Sequence, residues 1–227
     1  MKSLSQLIAE LEKFYGPPPS QLADPLHIII WENIGYLVDD DKRMAAFERL
    51  GKEVGLKPTD ILAAPSEKLI EILKVGGIHP KLRAQRLKEI AHIVLNDFEG
   101  ELASVLNLPY HKAIKALKRF PSVGEPGAEK ILLFCKSSPV LALDSNGLRV
   151  LLRLGFGKEQ KNYPATYRSV RDAVANEAIE GYDSLISAHQ LLRLHGKRIC
   201  KNTAPHCGEC PLTKYCAYFN AHRKPLR

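Results

Sequence analysis

The stretch CKNTAPHCGECPLTKYC, running from Cys200 to Cys216, holds four of the chain's five cysteines. Their spacing is Cys200-x6-Cys207-x2-Cys210-x5-Cys216. Four thiolates on one short loop can enclose one metal centre. A zinc ribbon usually brings two CxxC pairs, often well separated. Here a single CxxC has one lone cysteine outside each end. An iron–sulfur centre fits that pattern better, and spacing alone leaves zinc open. An odd number of cysteines, crowded rather than spread, is unlike a secreted disulfide scaffold and points to the cytoplasm. Cys135, within KILLFCKSS, lies outside the set and reads as a buried core thiol.

Outward from this loop the periodicity is helical nearly throughout. Leu4, Leu7, Ile8 and Leu11 mark a first amphipathic helix that Ser3 can cap. After the break Pro17-Pro18-Pro19, Pro25 starts LHIIIWENIGYLV, apolar on almost every face and so expected as a central buried helix. Met44, Phe47, Leu50 and Val54 stripe the next helix. Short helices fit 58–64 and 66–75. Gly76-Gly77 then breaks the chain before a helix marked by Leu82, Leu87, Ile90, Ile93 and Val94. Helical patterns also fit 110–119, 126–136, 144–154, 164–178 and 181–195. Strict alternation of the strand kind is absent. The expected fold class is all-α, about ten helices joined by short loops.

The 227 residues suffice for one large domain or two small lobes. Lys plus Arg number 33 against 25 acids, a net charge of +8. Such an excess suits a polyanionic partner, nucleic acid first. The longest apolar run, around Ile28 to Trp31, stops at Glu32, far short of a membrane span. The N-terminus has acids inside its apolar pattern and reads as a helix rather than a signal peptide.

Three further places carry chemistry. LKRFPSVGEPGAEKILLF, residues 117–134, sets a glycine-bearing turn between two helices. Such a turn exposes consecutive backbone N–H groups, and the helix start adds positive potential. Both suit a phosphate, without base specificity. Glu32 interrupts an apolar helix, where an unpaired charge is costly, so it is expected to hold its proton more tightly than a solvated carboxyl. Asp144 opens the predicted helix 144–154, where an aspartate caps well.

HQLLRLHGKRIC and NTAPHCGECPLTKYCAY resemble the cluster loop of endonuclease III and its relatives in the HhH-GPD superfamily of DNA glycosylases. That resemblance implies a 4Fe-4S cluster on Cys200, Cys207, Cys210 and Cys216. Its role would be structural, pinning a loop whose Lys197, Arg198, Lys201 and Lys214 can contact phosphates. Residues 117–134 resemble the family's helix-hairpin-helix (about 113–134), with Phe120, Pro121, Val123, Gly124 and Ala128 keeping its frame. Pro121, Ser122, Val123, Gly124 and Gly127 are the implied DNA-binding positions. Ser122 replaces the first glycine. Pro126 stands where bifunctional members carry a Schiff-base lysine, which implies base removal without lyase chemistry. Lys130, one turn on and on the same face, is the alternative nucleophile.

PVLALDSNGLRVLLR (139–153) and PLHIIIWE (25–32) resemble segments of the MutY adenine glycosylases. The likeness implies that Asp144 stabilises an oxocarbenium-like sugar or helps activate water, and that Glu32 donates a proton to a flipped base. Gly35, Tyr36 and Leu37 stand in place of MutY's glutamines; Tyr36 or Leu37 is the candidate wedge into the duplex. Residues 76–87, GGIHPKLRAQRL, resemble another family segment, with Lys81, Arg83 and Arg86 as possible phosphate contacts. The implied architecture is a six-helix barrel lobe over 25–138 and a lobe of 1–24 plus 139–227 carrying the cluster loop, 200–216. The implied function is a monomeric, monofunctional base-excision glycosylase acting on double-stranded DNA with a damaged or mismatched base. It would work in the cytoplasm, nucleoid-associated, with no membrane partner. The alternatives are a bifunctional glycosylase/lyase using Lys130, and a non-catalytic lesion-binding protein, which Ser122 and the missing lysine favour and Asp144 opposes.

Overall fold

A computed structural model describes residues 2–177 and 179–222. Among them the chain forms twelve α-helices: α1 Leu4–Tyr15, α2 Pro25–Ile34, α3 Asp40–Glu53, α4 Pro58–Ala63, α5 Ser66–Leu73, α6 Pro80–Asp97, α7 Tyr110–Leu117, α8 Glu125–Phe134, α9 Ser145–Leu154, α10 Tyr163–Val174, α11 Tyr182–Arg198 and α12 Ala217–His222. No strand forms among the described residues; one isolated bridge joins Tyr36 to Gly77. The all-α expectation holds. Residue 178, at the end of the predicted helix 164–178, lies outside the described residues. So do residues 1 and 223–227, which the expected cluster lobe includes.

Local chemistry explains most helix starts. Ser3 and Gln6 form a reciprocal capping box on α1. Asp24, Asp39, Asp144 and Asn162 each accept a backbone N–H in the first turn of the helix that follows. Two expectations need correction. The helix begun at Pro25 does not run on through Tyr36, Leu37 and Val38. It stops at Ile34, because Gly35 is extended and the Tyr36 N–H turns to the Gly76 carbonyl at 2.9 Å. Met44, read as part of an apolar stripe, is exposed, and Ala46, Phe47 and Leu50 make the buried face of α3.

The chain divides into two compact units. Leu22–Ser138 is one, containing α2 to α8. Its core is α6, which packs on α2, α4 and α5, while α2 also packs on α3 and α8. The other unit joins the N-terminal segment up to Gln21 with the chain from Pro139 onward. There α9 packs chiefly on α11, with α1 against α11 and both α10 and α12 against α9. Gly196 of α11 sits where a Cβ would come within 2.7 Å of Asn146 on α9. Gly196→Ala is therefore expected to push these helices apart and cost about 1–3 kcal/mol, read by thermal or denaturant unfolding.

Candidate functional site

In the unit of Leu22–Ser138, α7 and α8 are joined by a turn that ends at Gly124. Phe120 and Val123 are buried, and Phe120 stacks on Phe98 with centroids 5.9 Å apart. The Val123 side chain thus faces the core, and its N–H is already used by the Phe120 carbonyl at 3.2 Å. Gly124, Glu125 and Gly127 lie at the start of α8, where a helix leaves its first N–H groups without internal acceptors. A Cβ at Gly124 would meet nothing nearer than 3.7 Å, and at Gly127 nothing nearer than 3.6 Å, so packing within the chain does not demand glycine at either. Ser122 is held at φ 65°, the left-handed conformation for which the family's glycine is suited. Its hydroxyl accepts from Arg86 Nη1 at 3.0 Å. Buried Asn33 of α2 donates to the Pro121 carbonyl at 3.1 Å, fixing the turn to α2.

Arg83 is not a phosphate contact. It is 2% exposed, and its guanidinium donates to the carbonyls of Ile78 (2.9 Å), Ile34 (2.5 Å), Leu73 (2.7 Å) and Gly77 (2.6 Å). One side chain thereby ties the end of α2 to the end of α5 and the turn beyond it. Burial lowers its pKa, as desolvation of a cation must. The two loops it binds project apolar side chains. Leu37 is 77% exposed at φ 55°, Tyr36 is exposed, and Ile78 beside Gly77 is 47% exposed. Tyr36 packs near the His79 ring, with centroids 6.2 Å apart. No sequence pattern singled out Ile78.

Glu32 is not buried in an all-apolar helix. Its side chain is 30% exposed and forms an ion pair with Lys130 of α8. The isolated, fully buried carboxyl that the sequence suggested is thus a paired and partly open one. Lys130 is itself largely buried rather than a free surface lysine.

In the other unit Asp144 precedes α9. Its Oδ1 accepts the Gly147 N–H at 2.7 Å, its Oδ2 accepts Asn146 Nδ2 at 2.9 Å, and Arg193 Nε lies 3.8 Å from Oδ2. Asn146 Oδ1 accepts from Arg149 Nη2 at 3.0 Å, and Arg149 Nε donates to the Cys200 carbonyl at 2.9 Å. A hydrogen-bonded path thus leads from Asp144 to the first cysteine. Burial, and then the Asp144 charge, raise the pKa of Tyr163 on α10, a neighbour that no sequence pattern indicated.

Cys200, Cys207, Cys210 and Cys216 line one small cavity, walled also by Ile199, Pro205 and Phe219. Among the described residues no three His, Cys, Asp or Glu side chains converge as a single ion would need. Around zinc, bonds of ~2.3 Å draw thiolates close together, whereas the four thiolates of a four-iron cluster stand farther apart. Four thiols around one cavity are a donor set able to hold a metal centre. Arg153 Nη1 lies 3.3 Å from Cys200 Sγ, and the Phe219 N–H donates to Cys216 Sγ at 3.5 Å. His195 Nε2 lies 3.5 Å from Cys210 Sγ, and His195 Nδ1 lies 2.9 Å from the Tyr15 hydroxyl. Lys197, Arg198, Lys201 and Lys214 are exposed, as a basic rim requires. Cys135 is half-buried rather than fully buried, and burial pushes its thiol up to about 12.

No protein-family model matches the chain. An endonuclease III of Rickettsia conorii is 30% identical over 164 residues, 71% of this chain and 70% of that protein. A thymine-DNA glycosylase of Aeropyrum pernix is 28% identical over 223 residues, 97% of this chain and 96% of that protein. A solved endonuclease III, trapped as a covalent intermediate with DNA, matches with TM-score 0.74 and 20% identity over 97% of this chain and 99% of its own. At that identity the likeness speaks for the fold alone. The chain belongs to the endonuclease III family.

Proposed function

We propose that this protein is a base-excision DNA glycosylase that hydrolyses the bond between C1′ and a damaged or mismatched base in double-stranded DNA, without strand cleavage. The observation that carries this is the setting of Asp144. Both carboxylate oxygens are held by donors, so the negative charge is fixed before substrate arrives. As the bond breaks, its electron pair leaves with the base and the sugar becomes positive. A fixed carboxylate stabilises that charge, and water completes the reaction at C1′. The open start of α8, with Ser122, Gly124 and Gly127, offers N–H groups to a backbone phosphate. Tyr36, Leu37 and Ile78, exposed on the loops pinned by Arg83, are suited to fill the gap left by an extruded nucleotide. Glu32, paired with Lys130 on α8, is assigned as the second working carboxylate.

Pro126 at the family's lysine position supports hydrolysis alone. Lys130 is engaged in an ion pair with Glu32, which would have to break before its nitrogen could attack a sugar. The test is a set of end-labelled duplexes, each with one altered base, run with and without hot alkali. Breaks only after alkali are expected. Breaks without alkali, with borohydride trapping at Lys130, would overturn the hydrolytic reading.

The cysteine loop is proposed to hold a 4Fe-4S cluster through Cys200, Cys207, Cys210 and Cys216. When bound, such a cluster cross-links the loop to the end of α11 and orders Lys197, Arg198 and Lys201 for phosphate contact. Cys210→Ser is expected to lose most bound iron and to weaken DNA binding, measured by iron analysis and fluorescence anisotropy.

A further inference from the structure

His195 is buried on the inner side of α11, 1% exposed, with a polar partner at each ring nitrogen. One partner is the Tyr15 hydroxyl at the end of α1, 2.9 Å from Nδ1. The other is Cys210 Sγ, 3.5 Å from Nε2. The residue is also anchored through its main chain, since its carbonyl accepts from the N–H groups of Ile199 and Cys200, both at 2.9 Å. The imidazole is thus held from the first helix on one side and from Cys210 of the cysteine loop on the other.

The direction of these bonds follows from simple chemistry. A thiolate bound to iron carries no proton and can only accept. Nε2 must then be the N–H, which leaves Nδ1 as the acceptor for the Tyr15 O–H. A single tautomer satisfies both ends. We propose that Tyr15 and His195 form a relay that delivers a hydrogen bond to the Cys210 sulfur and thereby raises the reduction potential of the cluster. This rests on the four-iron reading of the loop given above. A donor to a ligand sulfur stabilises the state with more negative charge, which is the reduced one. In a buried setting that preference is felt more strongly than in water. Arg153 and the Phe219 N–H approach Cys200 and Cys216 instead, so the relay addresses a different ligand from theirs. His195 acts through the sulfur and is a positioning residue, not a catalytic one.

The test is a spectroelectrochemical titration of the full-length, cluster-loaded protein, with iron and sulfide content measured on every sample. His195→Phe removes the donor and keeps a ring. It is expected to lower the midpoint by a shift equivalent to about tenfold in the reduced-to-oxidised ratio, ~59 mV for a one-electron couple. Tyr15→Phe frees the tautomer and should shift the midpoint the same way by less. His195→Gln places an amide N–H at the same distance along the side chain and should restore most of the wild-type value. If His195→Phe fails to load, Tyr15→Phe and His195→Gln still decide the matter. Loaded variants with the wild-type midpoint, or a glutamine variant shifted as far as phenylalanine, would overturn the relay. Wild-type protein without iron would instead remove the cluster reading itself, and iron analysis tells the two failures apart.

Discussion

Asp144→Asn is expected to slow single-turnover base excision on the order of 10²–10³-fold while leaving thermal unfolding nearly unchanged. The two halves of this expectation come from two jobs of one side chain. As a helix cap, Asp144 needs only an oxygen to accept the Gly147 N–H, and asparagine supplies one. As the group facing a positive sugar, it needs its charge, and asparagine has none. A variant that unfolded early would show that the cap and the Arg193 contact depend on the charge. One that kept full rate would show that Asp144 is structural. Rates should be taken with enzyme in excess, so that product release does not mask the chemical step.

Arg83→Met is expected to cost about 3–5 kcal/mol, because it removes a buried cation that donates to four carbonyls. That corresponds to a fall in Tm of roughly 10 °C for a chain of this size. Arg83→Lys should lie between, since one ammonium cannot span acceptors set around a planar fork. The loops bearing Tyr36, Leu37 and Ile78 lose their common anchor, so affinity for duplex DNA should fall even below the unfolding temperature. An Arg83→Met protein that melts like the wild type would mean that water replaces the guanidinium at little cost.

The legible part of the sequence was the local part. Helix periodicity, the caps Ser3 and Asp144, and the cysteine spacing are each written within a few residues, and local chemistry fixes them. The overall fold class and the family followed from them. What the sequence hid is non-local. Arg83 looks like any exposed helix arginine, because the carbonyls it serves come from Ile34, Leu73, Gly77 and Ile78. Glu32 looked isolated, because Lys130 is 98 residues away. Its apolar neighbours suggested burial all round, but α2 leaves the side with Glu32 partly open. The end of α2 was missed because Gly35, Tyr36 and Leu37 continue an apolar pattern, whereas the chain turns extended at Gly35 and Tyr36 pairs with the distant turn at Gly76 and Gly77. The contact between His195 and Cys210 spans a loop whose path no periodicity describes.

The central claim, that this chain removes a base by hydrolysis at C1′, is tested most directly by identifying what leaves the DNA. Duplexes carrying single damaged or mismatched bases would be incubated with the wild-type protein and with Asp144→Asn, and the small products separated and weighed by mass spectrometry. The expected result is an intact free base from at least one duplex, an unbroken abasic strand left behind, and almost no base from Asp144→Asn. Tight, salt-sensitive binding with no base released from any duplex would contradict the account.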